Sequence, residues 1–82
     1  MWVRLPSHQL ILMVIKMEAI ETQLLSENPQ FSRIWVQYSS YRGFRVVITL
    51  FVRNNYTMIF GNVRDLTYDS INVVLQNHLK MN

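Results

Sequence analysis

The sequence predicts an α+β domain with the element order α-β-β-β-α: a three-stranded antiparallel sheet with two helices packed on one of its faces. Three observations carry this. Apolar residues recur at helical spacing over about residues 8–27 and again from 71 to 79. Between them, residues 31–60 are rich in β-branched and aromatic residues that alternate as in half-buried strands. Two turn-forming groups, Ser39 to Gly43 and Asn54-Asn55, divide that stretch into three. The 82 residues are read as one domain spanning 1–82.

Met1 to Pro6 reads as a lead-in, with Trp2 and Val3 expected to pack on the body of the protein. Ser7 follows Pro6 and is the expected helix cap. Leu10, Met13, Met17, Ile20 and Leu24 then form one apolar stripe with Val14 beside it, while Lys16, Glu18, Glu21 and Gln23 mostly fall off it. Glu27-Asn28-Pro29 ends the helix, because a residue before proline avoids helical backbone. A rival parse places a buried strand at 9–16 and a short helix at 17–27. Leu10, Leu12 and Met13 in the run favour the single helix. The apolar run Leu10 to Ile15 is read as core. Six residues fall short of the about 20 that span a bilayer, so no membrane partner is expected.

The first strand is expected over Phe31 to Tyr38, with Ile34, Val36 and Tyr38 on one face and Arg33, Trp35 and Gln37 on the other. The second runs from Phe44 to Arg53, the third from Tyr56 to Phe60, with Gly61-Asn62 breaking it. Asp65 or Thr67 caps the last helix, Asp69 sits in its first turn, and Ile71, Val74, Leu75, His78 and Leu79 form its stripe. If Asn54-Asn55 is a two-residue loop, Arg53 faces Tyr56 and Leu50 faces Ile59. If 39–43 is a five-residue loop, Tyr38 faces Phe44 and Val36 faces Val46. Both registers sort the faces alike. Ile34, Val36, Tyr38, Phe44, Val46, Ile48, Leu50, Val52 and Ile59 make a core face. Arg33, Trp35, Gln37, Arg45, Val47, Thr49, Phe51, Arg53, Tyr56, Met58 and Phe60 make the second face.

Charge sharpens interest in that second face. The chain carries a formal +3, but residues 28–64 hold five arginines and no acid. The candidate binding residues are Arg33, Trp35, Arg45, Phe51, Arg53, Tyr56 and Phe60. Aromatic, Met and Arg side chains together are the composition of a protein interface, so a protein partner or a second copy of the chain is the leading expectation. Rings on a sheet also stack unpaired bases while arginines take phosphates, so single-stranded nucleic acid, RNA first, stands as the alternative.

An enzyme is not expected. His8 and His78 are the only histidines, no Gly-rich phosphate loop is present, and Glu18 and Glu21 read as a solvated helix face. The absence of cysteine excludes disulfides, thiol catalysis and thiolate zinc sites, and fits a cytoplasmic location. No cofactor and no metal are expected. The reading is a small binding protein: an inhibitor, adaptor or regulator that homodimerises or docks a partner. The layout helix–three strands–helix resembles that of double-stranded-RNA-binding domains. That family starts its last helix with glycines and lysines, whereas this chain reads Val63-Arg64-Asp65-Leu66-Thr67-Tyr68-Asp69. The resemblance is one of layout, and the family's activity is not carried over.

Overall fold

A computed structural model describes the backbone of residues 7–40 and 42–81, with side chains from Ile11 onward. It contains α1 (Ser7–Glu27), β1 (Arg33–Ser40), β2 (Phe44–Val52), β3 (Asn55–Val63) and α2 (Tyr68–Lys80). The three strands form one antiparallel sheet in the order β1-β2-β3. The expected packing of Trp2 and Val3, the cap at Ser7, the place of Leu10 in the stripe and the conformation of Tyr41 lie outside the described residues.

The single-helix parse holds: α1 runs unbroken for 21 residues, about 31 Å. Met17, Ile20 and Leu24 are buried, spaced three and four apart so that they share one side of the helix. They meet Ile34 and Val36 of β1, Val46, Ile48 and Leu50 of β2, and Ile59 of β3 in one core. Ile71 and Leu75 of α2 close that core from the same side of the sheet. Leu66, in the connection before α2, also buries there, a position outside any periodic stripe. Each such fully buried large apolar side chain contributes about 1.5–3 kcal/mol.

The expectation that Leu10 to Ile15 is core is corrected. Ile11, Leu12, Val14 and Ile15 are exposed, and among the described side chains of the run only Met13 packs against the core. Successive helical residues turn by about 100°, so a continuous apolar run points to every side, and the sheet receives one stripe of it.

The first hairpin is tighter than expected, and the second turns one residue earlier. The first loop has three residues, and Ser40 pairs with Phe44, Tyr38 with Val46 and Val36 with Ile48. Arg42 at φ 50° and Gly43 at φ 101° make the sharp reversal. A Cβ at Gly43 would lie 3.0 Å from the Val63 carbonyl oxygen, so glycine also admits the end of β3. In the second hairpin the turn sits one residue earlier, on Arg53 and Asn54 at φ 52° and 62°, with Val52 paired to Asn55. Two left-handed residues in a two-residue loop match the twist of the flanking strands. Asn55 becomes the first residue of β3, and its Nδ2 donates to the Arg53 carbonyl at 3.3 Å.

Both registers therefore shift by two residues. A shift of two keeps the strand side chains on their sides, so the expected sorting of faces survives except at Arg53, which moves into the turn. β3 also continues past Gly61 to Val63 instead of breaking there. Gly61 lies opposite Val46 and beneath α2, where an added Cβ would stand 2.6 Å from a Val74 methyl carbon. Its missing side chain lets α2 settle onto β3. Thr67 caps α2: its Oγ1 accepts from the Ser70 N–H at 3.2 Å. Asp65 supports the cap by accepting from Ser70 Oγ at 2.7 Å.

Candidate functional site

Both helices lie on one face of the sheet, which leaves the other face uncovered by any described element. Registers place its side chains in cross-strand rows about 7 Å apart. The first row is Arg33, Phe51 and Tyr56; the second is Trp35, Thr49 and Met58. The third is Gln37, Val47 and Phe60, and the fourth is Ser39, Arg45 and Asn62.

The first two rows form an aromatic cluster. The Phe51 and Tyr56 rings have centroids 4.7 Å apart at 39°, the spacing expected for cross-strand neighbours. Trp35 and Tyr56, one row apart on the two outer strands, approach across β2 to 6.0 Å at 31°. The Arg33 guanidinium carbon lies 5.1 Å from the Trp35 ring centroid, a cation–π contact that holds both side chains against the sheet. Trp35, Gln37, Thr49 and Tyr56 wall an open hollow of about 340 Å³, with Glu21 of α1 at its rim.

Of the seven candidate residues, the structure gathers Arg33, Trp35, Phe51 and Tyr56 into this cluster. Phe60 lies two rows from Tyr56 on the same strand. Arg45 stands in the fourth row, about 20 Å along the strands from the first. Arg53 leaves the face: it was expected opposite Tyr56, but it forms the turn with a left-handed backbone. Tyr56 and Phe60 are 65% and 66% exposed, and Met58 between them is 55% exposed. Met58 belongs with the site although the candidate residues omitted it. Its position on the strand marked it, since it alternates with two ring-bearing neighbours.

Glu21 also has a different role from the expected solvated one. Its Oε2 accepts the backbone N–H of Val36 at 2.7 Å. β1 is an edge strand, so this carboxylate satisfies a donor that would otherwise point outward from the sheet. The strands themselves contribute no acid to the open face, and Glu21 is the one acid that lines the hollow there. Among the described residues, no three His, Asp or Glu side chains gather as a metal ion would need. None of the described helices is long and apolar enough to cross a membrane. No family model matches the chain, and neither a curated protein nor a solved structure is significantly similar to it.

Proposed function

We propose that this protein is a non-enzymatic protein-interaction module, an inhibitor, adaptor or regulator, whose partner docks on the open face of the sheet. The observation that carries the proposal is a contiguous uncovered apolar band. Tyr56, Met58 and Phe60 stand more than half exposed beside the half-buried Trp35, Val47 and Phe51. Single exposed apolar side chains are ordinary, whereas a joined patch rimmed by polar groups is characteristic of an interface. Trp35, braced by Arg33 and Tyr56, is the natural anchor, because ordered aromatic side chains contribute most where they are already held in place. Arg33 and Arg45 at opposite ends favour a partner surface with an apolar centre and an acidic rim.

The test begins with capture of the partner from an extract of the protein's own source cells, followed by identification and purification. Titration of the purified partner is then compared for the native chain and for Trp35→Ala. Loss of a central anchor of about 2 kcal/mol corresponds to about 30-fold weaker binding. Equal affinity for both chains sinks the proposal.

The exposed rings of Tyr56 and Phe60 beside arginines support one other reading, a single-stranded RNA platform. Fluorescence anisotropy with a single-stranded oligouridine, between about 50 and 200 mM salt, separates the two. The protein reading expects no binding. Binding that weakens steeply with salt and falls on Arg33→Ala would assign the face to RNA.

A further inference from the structure

We infer that β3 is the edge to which a second copy of this chain adds, antiparallel and centred on Met58, to make one continuous six-stranded sheet. The inference rests on the reading of the chain as an association module. It concerns the strand edge, which can be occupied while the open face is empty.

The two edges of the sheet are unlike. Each edge strand carries a helix on its core side, α1 on β1 and α2 on β3, but β1 is also guarded at its edge, where Glu21 takes the Val36 N–H. β3 is nine residues long, with no proline and no charged residue from Asn55 to Val63. A long, uncharged edge with exposed apolar side chains is a template for strand pairing.

The register tells which groups point outward. In a two-residue turn the Val52 carbonyl accepts from the Asn55 N–H, so Asn55, Thr57, Ile59, Gly61 and Val63 face β2. Val36 gives the same parity independently, because its N–H is taken by Glu21 and its partner Ile48 must then bond Ile59. Tyr56, Met58, Phe60 and Asn62 therefore present N–H and C=O groups to the outside.

That outward set is self-complementary about Met58. A two-fold through Met58 sets Met58 opposite its own copy, and Tyr56 opposite Phe60 of the second copy, twice. Both apolar pairings lie on the open face, and the backbone bonds close in register. Charges enter only at the ends of the seam, where Arg53 comes near Arg64 and Asp65 of the second copy, a site of mixed sign. On the helix side, Thr57 of the second copy falls opposite Ile59. There it borders an open groove of about 310 Å³ between β3 and α2, lined by Gly61, Val74 and His78 among others.

The absence of cysteine from the chain supplies a clean test. Directly opposed residues of a hydrogen-bonded pair lie about 5.5 Å apart at Cα, within disulfide reach. Met58→Cys should crosslink to a dimer on mild oxidation, while Tyr56→Cys and Phe60→Cys, each opposite a different residue, should not. By light scattering the native chain should have twice its 9.8 kDa mass, Trp35→Ala should keep that mass, and Met58→Lys should fall to the monomer with an unchanged circular dichroism spectrum. Crosslinking that is equal at all three positions overturns the inference, as does a native chain that stays monomeric up to its solubility limit. A dimer that Trp35→Ala dissolves and Met58→Lys spares means that copies stack face to face, and it too overturns the edge assignment. A monomeric native chain that still loses its partner on Trp35→Ala leaves the face reading intact.

Discussion

Asn28 Nδ2 donates to the Leu24 carbonyl at 2.8 Å, and its Oδ1 accepts from Gln76 Nε2 at 3.3 Å. The first bond satisfies a carbonyl that the end of α1 leaves without an intrahelical partner. The second ties that end to α2 across 48 residues of chain. Asn28 is the only buried polar residue among the described ones, and Asn28→Ala would remove the Leu24 carbonyl's side-chain donor and leave Gln76 Nε2 bonded to Asn72 Oδ1 alone. The expected cost is about 1–3 kcal/mol, read as a lower urea midpoint with unchanged slope. In sequence Asn28 was legible only as the residue before Pro29. Local pattern has no term for a partner 48 residues away. Arg53 shows the same limit at a turn. Asn54-Asn55 looked like the loop because asparagine tolerates positive φ, yet the turn fell on Arg53-Asn54. In the observed register Val52 pairs with Asn55 and Ile48 with Ile59, so Asn55 opens β3 instead of closing the turn.

At the scale of elements, the contact between α2 and β3 depends on Gly61. Gly61→Ala would put a Cβ 2.6 and 2.9 Å from the two Val74 methyl carbons. Valine is stiff about its first side-chain torsion, so the methyls cannot swing clear at little cost, and the helix must lift. Overpacking of this kind costs about 1–3 kcal/mol. Adding Val74→Ala removes the obstructing methyls, and the double variant should recover part of the loss in thermal unfolding. Equal losses in the single and double variants would mean that the close approach is not the cause. From sequence, Gly61 read as a strand breaker, because what it makes room for comes from another element. The strand faces were legible for the opposite reason. Alternation depends on parity alone, and parity survived a two-residue error in both hairpins. Helix stripes were legible where apolar residues skip positions, as at Met17, Ile20 and Leu24. They failed where the run is continuous, as at Leu10 to Ile15.

For the molecule as a whole, helix α1 over β1 and helix α2 over β3 put the core on one side of the sheet and leave the other side uncovered by any described element. The arginine and aromatic clustering was visible in the sequence as composition. Its division into an aromatic cluster at one end and Arg45 at the other needed the register. The guarding of β1 by a carboxylate from α1 needed the packed structure, since Glu21 and Val36 are 15 residues apart.

Under the edge pairing inferred above, that one carboxylate sets how many neighbours each copy can accept. A sheet with two open edges grows without limit, copy upon copy, into a filament. A sheet with one open edge has a valency of one: two copies meet, each exhausts its only free edge, and growth stops with a guarded β1 at either margin. Glu21→Ala should raise the valency to two. Static light scattering on concentration would then climb past the mass of two chains into polydisperse species, while the native protein holds a plateau. A plateau in the variant as well would show that α1 guards the margin without Glu21.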